Sequence, residues 1–351
     1  MDSMELIKKL SNAFGPSGFE HEVRSALSAL VKPLVDELRV DALGNLIAVR
    51  QGKSQKKVML DAHMDEVGFM VSHVDEDGFL RLAPLGGWDA RILPSHAITV
   101  QTRAGAKLRG IIGSAPPHIL TDEDRKKPIH LEDLFVDVGA ASSEEAHALG
   151  LRVGDPAVIE YPFQQVNANT ITGKAFDDRA GCAVAVKVLQ ALQHETPAWT
   201  IVASFVVREE VGLRGAQTAA YQVQPDVALA LEGTVAADVP GVSPHKQPTA
   251  LGKGPAISVA DHSFVVPREM VMFLEELAQA QGIPCQLKTP PYGSTDAGAI
   301  HQSRKGVLCG VLSVPCRYIH APISMLRLDD FEGAVKLATA FVKAAPQRFG
   351  A

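Results

Sequence analysis

Four stretches of nearly unbroken apolar character each run into a histidine or an acid. KVMLDA leads to His63, TIVASFVVR to Glu209 and Glu210, DVALAL to Glu232, and GVLSVPCRYI to His320. Apolar runs of this length between polar boundaries predict strands buried on both faces, as in a parallel sheet covered by helices. Ligands bind such sheets in the crevice beyond the carboxyl ends of the strands, so residues distant in sequence converge there. Asp177, in GKAFDDRAG, has no clear strand before it and is expected to open a helix.

The remaining pattern divides the chain. MDSMELIKKLSNAFG reads as an amphipathic helix rather than a signal peptide. A helix is expected from Glu20 to Lys32, stopped by Pro33, followed by strands in ELRVDALGNLIAVR that turn at Gly44 and Asn45. Between about Val67 and Thr172 the text changes to short alternating stretches, FMVSHV, HAITVQT, LRGIIGS and LFVDVG, with only EEAHALG looking helical. Helical periodicity returns after Gly173 in DRAGCAVAVKVLQALQ, PREMVMFLEELAQAQG and DDFEGAVKLATAFVKAA. The expectation is an α/β domain with a mixed sheet, residues 1–66 and 173–351, interrupted by a β-rich insertion, residues 67–172.

Composition narrows the class. The chain has 351 residues, 46% of them hydrophobic, enough for a large core. Its net charge of −6, with both signs interspersed, gives no footprint for nucleic acid or an anionic membrane. Cys182, Cys285, Cys309 and Cys316 lack a CxxC spacing, so reduced thiols are expected. With no long uncharged apolar run, the expected location is the cytoplasm.

Two imidazoles and several carboxylates without thiolates suit zinc, cobalt or manganese. A two-metal centre needs a bridging carboxylate, and Asp177 is the candidate. Glu209 and Glu210, adjacent at a strand end, point in different directions. Glu210 is assigned to metal and Glu209 to the general base, while Asp65 is placed to orient the imidazole of His63. Each residue also has an ordinary reading. Asp65 and Asp178 are favoured at caps and turns, a single histidine is more often structural, and Cys182 begins a buried helix. Chance placement of the whole set is harder to sustain, because unpaired buried charge is costly. His118 and His262 are intermediate, with outer roles weighed against surface ones. EEVGLRGAQ carries neither phosphate-binding glycine pattern, so nucleotide binding is not supported.

DAHMDEVGFMV, KAFDDRAGC, REEVGLRGA, ADVPG after Glu232, YGSTDAGAIH and VPCRYIHAPISM together resemble the successive motifs of the tetrahedral (TET) aminopeptidases, dinuclear metallopeptidases that include glutamyl aminopeptidases and FrvX-type proteins. The likeness extends from GPSGFE to the last helix. It implies a zinc-peptidase-like α/β domain with an inserted PDZ-like β domain used for dimerisation, and dimers assembled into a tetrahedral dodecamer. It also implies two divalent ions per subunit: His63 and Glu232 on one, Glu210 and His320 on the other, Asp177 bridging and Glu209 the base. The position of Glu232 is more often aspartate in that family. The expected function is a metal-dependent aminopeptidase acting on peptides with free N-termini, their α-amine meeting an acid such as Glu232 or Asp238. Another metal-dependent amidohydrolase (deacylase or carboxypeptidase), a metal-free glycoside hydrolase and a scaffold with structural metals are the alternatives.

Overall fold

The four apolar runs form four adjacent parallel strands in a computed structural model that describes residues 1–350. Their order is Trp199–Val206, Ser54–His63, Val227–Val235 and Leu308–Arg317. Every residue of Trp199–Val206 is buried, as expected for a strand with neighbours on both edges and helices packed over it. The sheet is mixed because antiparallel strands extend it on each side. Leu46–Arg50 and Glu37–Val40 continue it beyond Trp199–Val206, joined by a turn in which Asp41 Oδ1 accepts from the backbone N–H groups of Leu43, Gly44 and Asn45. Ser324–Arg327, Thr170–Gly173 and Gln164–Asn167 extend it beyond Leu308–Arg317. With the short strands Ala256–Ser258 and Gln286–Lys288 the sheet has eleven strands.

The helix Phe176–Ala191 packs on the central strands and against Ser3–Asn12 and Leu328–Phe349, burying Phe176, Phe331 and Phe341. Helix Arg214–Val223, which the sequence pattern passed over, packs with Ala297–Ile300 near the strand ends. Between Ser54–His63 and Gln164–Asn167 in the sequence lies a second architecture. Strands Gly68–Val74, Leu80–Leu85, Phe135–Asp137, Lys107–Gly113, Ala97–Gln101 and Pro156–Ile159 close, in that order, into an antiparallel barrel around Phe69, Val71, Leu80, Ile98, Val100 and Val136. Helix Ser143–Ala148 is the one the pattern anticipated in this region. Gln164–Asn167 and Thr170–Gly173 fall within the stretch of alternating text, yet they hydrogen-bond into the large sheet and not the barrel. The same Thr170–Gly173 strand is the one that precedes Asp177, too short to read from its sequence. Among the described residues no helix is long and apolar enough to cross a membrane.

One buried cation fastens the N-terminal segment to the sheet. Arg179 is fully buried; its guanidinium donates to the carbonyls of Leu10, Ala13, Gly15 and Met64 and pairs with Glu66 at 3.2 Å. Lys174 closes the same carboxylate at 2.6 Å. Replacing Arg179 by Met takes a donor from each of four carbonyls and one of the two cations from Glu66, so urea denaturation should show a loss of about 3–5 kcal/mol. A loss below about 1 kcal/mol would mean that the buried network contributes little.

Candidate metal centre

His63, Glu209, Glu210 and His320 sit where their strands stop. His63 is the last residue of Ser54–His63, in register with Val206, so Glu209 and Glu210 on the following turn emerge beside it. Glu232 lies inside Val227–Val235 rather than beyond its end, opposite Ser313. Asp177 is carried by the first turn of Phe176–Ala191, where its own backbone and that of Asp178 are still non-helical. Gly233 permits this approach: a Cβ there would lie 2.9 Å from the Cα of Asp177. His320 follows Leu308–Arg317 after a bend. Of eight non-glycine residues with positive φ, Leu213 and His320 line this crevice, and Ala175, Arg208 and Tyr318 lie within two residues of Asp177, Glu209 and His320 in the sequence. Backbone in that region is uncommon and concentrates where surrounding structure enforces a functional geometry.

Asp177 stands between the two imidazoles. Its Oδ1 lies 3.2 Å from His63 Nε2 and its Oδ2 3.4 Å from His320 Nε2. Glu232 is 3.7 Å and Glu209 3.9 Å from His63 Nε2, while Glu210 is 3.1 Å from His320 Nε2. Asp65 meets His63 through both backbone and side chain. Nδ1 of His63 lies 3.0 Å from the backbone carbonyl of Asp65 and 3.5 Å from its carboxylate. That carboxylate also accepts from the backbone N–H groups of Glu209 and Glu210, at 3.0 and 3.2 Å, and from the hydroxyl of Ser17. It therefore fixes the turn that presents both glutamates. Asp178 is a structural group: it accepts from the backbone N–H of His63 and of Gly181.

Charge and burial conflict throughout this cluster. Burial, reinforced by neighbouring acids, pushes the carboxyls of Glu209 and Glu232 well above the usual range. Burial also opposes a charged His320, but the bonds to Asp177 and Glu210 outweigh it and push the imidazole up to about 11. Asp177 moves down despite its burial, because both imidazoles bond to it. Asp65 is likewise held low by His63, Ser17 and the amide of Glu209, against the opposing effect of burial.

The donor set fits divalent ions. His63, Asp177 and Glu232 each present a ligand atom, all within 4.8 Å of one another, and so do Asp177, Glu210 and His320. Asp177 belongs to both sets. Oε1 of Glu210 is sealed from solvent and faces His320 Nε2 at 3.1 Å, a spacing that two ligands of one cation would share. Oxygen and imidazole donors of this kind suit zinc, cobalt or manganese.

Sequence comparison places the arrangement in a family. A family model described as M42 glutamyl aminopeptidase matches residues 44–337. The chain belongs to that family. It is thus an aminopeptidase, a hydrolase acting on peptide bonds. The lysyl aminopeptidase of Pyrococcus furiosus is 35% identical over 98% of this chain and 97% of its own length. A solved TET aminopeptidase from the marine sediment archaeon Thaumarchaeota archaeon SCGC AB-539-E09 is 42% identical, with a TM-score of 0.94 over 97% of this chain and 96% of that one. The Pyrococcus horikoshii TET1 peptidase, which can assemble into a tetrahedron or a large octahedral shell, is 33% identical with a TM-score of 0.88, covering 97% of this chain and 99% of that one.

Other candidates fall outside the crevice. His118 is exposed on a short turn of the barrel region, and His262 is exposed in a separate cleft with His301 and Phe264. Asp238 is held by Arg317 at 2.6 and 3.0 Å. Cys182 is buried, its thiol directed at the carbonyl of His63 and raised by burial, as a core thiol. Several site residues escaped the sequence reading. Asp61 and Asp296 are fully buried, and no hydrogen-bond donor reaches their four oxygens. Lys288 lines the crevice. Gly87, from the barrel, offers its carbonyl to His320 Nδ1 at 3.1 Å. An aspartate inside KVMLDA was a visible signal for Asp61; the glycine and the lysine carried none.

Metal ligation requires neutral imidazoles, whereas the bonds described hold His63 and His320 protonated in the metal-free protein. Zinc binding should therefore release protons, and its affinity should weaken as pH falls. Calorimetry of zinc binding in buffers of different ionisation enthalpy measures this directly; zero proton release across pH 6–8 would contradict the proposed ligation.

Proposed function

We propose that this aminopeptidase works through two divalent ions, with His63 and Glu232 on one, Glu210 and His320 on the other, Asp177 between them and Glu209 as general base. The observation that carries this reading is the position of Asp177, whose two oxygens face two different imidazoles. Two cations held there would polarise a peptide carbonyl and acidify a water molecule. Glu209 would take a proton from the attacking water and return it to the leaving amine; burial raises its carboxyl well above the usual range, which makes it a stronger base. Asp65 keeps Glu209 and Glu210 in place through their backbone amides. The longer side chain of Glu232 is accommodated by its origin within the strand, three residues before the strand end at Val235. Zinc or cobalt are the favoured ions, with manganese also compatible.

The crevice also supports the exopeptidase mode. Its carboxylates give a substrate's α-ammonium a partner, and Glu232 is the acid within reach of that role, since Asp238 is committed to Arg317. Side-chain preference is a separate matter: a lysyl enzyme is among the relatives of this glutamyl-named family. We assign catalysis to the large-sheet part of the chain, approximately residues 1–67 and 160–350, and assembly to the barrel between them. The resemblance to TET enzymes supports reading that barrel as a PDZ-like dimerisation unit and the assembly as a homo-dodecamer, with the cytoplasm as its proposed location.

Glu209→Gln retains size but cannot accept a proton, so turnover of a free tripeptide should fall by about 10²–10⁴ with metal content little changed. The same peptide acetylated at its N-terminus should be a far poorer substrate for the unaltered enzyme. Metal loss from the Glu209 variant, or equal cleavage of both peptides, would overturn the assignment. Light scattering should give the mass of twelve chains; a monomer over a wide concentration range would remove the assembly role of the barrel.

A further inference from the structure

The crevice, about 590 Å³ in volume, has no lysine or arginine in its wall except Lys288. This residue ends the short strand Gln286–Lys288, in register with Ser258, and is only 4% exposed. Glu232, Asp261 and Asp177 act on it through space, without a hydrogen bond. The nearest of these that is not a site acid, Asp261, is already occupied: its Oδ1 accepts from Ser263 and its Oδ2 from Thr295. The other buried lysine of the chain shows the contrast. Lys174 is clamped by both oxygens of Glu66 at 2.6 and 2.7 Å, as a structural cation should be. Lys288 has no such clamp, and its side chain lines the crevice where substrate would lie.

We propose that Lys288 is the specificity-determining residue of this enzyme, its ammonium binding the side-chain carboxylate of an N-terminal glutamate or aspartate. The proposal rests on the reading of the crevice as an aminopeptidase site. Once divalent ions answer the charge of Asp177, Glu210 and Glu232, the ammonium is the positive charge in the wall left free for substrate. The same charge repels an N-terminal lysine or arginine, so selectivity has an attractive and a repulsive part. A substrate's C-terminal carboxylate offers the same chemistry and has to be told apart from the side chain.

The test compares zinc-loaded enzyme and its Lys288→Met and Lys288→Arg variants on Glu-, Leu- and Lys-p-nitroanilide, and on Leu-Gly and its amide, with zinc content measured alongside. The p-nitroanilides carry no C-terminal carboxylate. We expect the unaltered enzyme to prefer Glu to both Leu and Lys. The Glu-to-Leu ratio of kcat/KM should fall about 10- to 100-fold in Lys288→Met, mainly through KM, with zinc retained. Lys288→Arg should recover part of it. Proportional loss on all substrates, or loss of zinc, would make Lys288 a structural counter-ion and overturn the proposal. So would a preference for Leu or Lys in the unaltered enzyme, or an effect confined to Leu-Gly relative to its amide; each leaves the aminopeptidase reading standing. Failure to cleave any of these substrates would instead sink that reading itself.

Discussion

The rest of the structure is organised around one costly feature, a concentration of negative charge out of water at the ends of four parallel strands. Asp61, Asp65, Asp178, Glu232 and Asp296 are buried, and Asp177, Glu209 and Glu210 nearly so. Two like charges about 4 Å apart repel by about 4 kcal/mol at an effective dielectric near 20. A few such pairs would consume the whole stability of about 5–15 kcal/mol that a folded domain has. The chain answers part of this charge itself. Asp65 and Asp178 are bonded to backbone N–H groups. Burial drives the carboxyls of Asp61 and Asp296 well above the usual range, which lessens the charge they add. What remains around Asp177 is too much for two imidazoles and one distant ammonium, and it is shaped for divalent cations.

Holding that charge in place requires rigid surroundings. Arg179 and Glu66 tie the first fifteen residues to the strand end that bears His63. Asn45 joins the opening hairpin to the turn before Glu209, accepting from the N–H of Val207 and donating to the carbonyl of Gly215. The barrel contributes as well, because the loop bearing Gly87 is anchored by Trp88, which stacks on Phe69 and donates to the carbonyl of Gly68. A module that supplies no metal ligand thus orients the imidazole of His320.

Much of this was legible in the sequence because buried parallel strands announce themselves as apolar runs, and the chemistry of the crevice begins where those runs end. That signal alone singled out His63, Glu209, Glu210 and His320, which the fold brings to one crevice. Glu232 was found too, although its strand continues past it: a glutamate after DVALAL looks like a boundary. Asp177 was found without its strand, since Thr170–Gly173 is too short and too polar to show a period. Other features had no local signature. A closed barrel and an open β module share the same alternating text, because closure depends on which strands pair. Gln164–Asn167 reads like its neighbours in the barrel and belongs to the other sheet for the same reason. Lys288 and Gly87 act through position alone, fixed by long-range packing that no short window of sequence contains.

The account stands on the claim that Asp177 lies between two cations. Anomalous diffraction at the zinc edge from crystals of zinc-loaded protein tests it most directly. Two peaks about 3.5–4 Å apart should flank the Asp177 carboxylate, one beside His63 and Glu232 and the other beside Glu210 and His320. A single peak, or two peaks that leave Asp177 unligated, would contradict it.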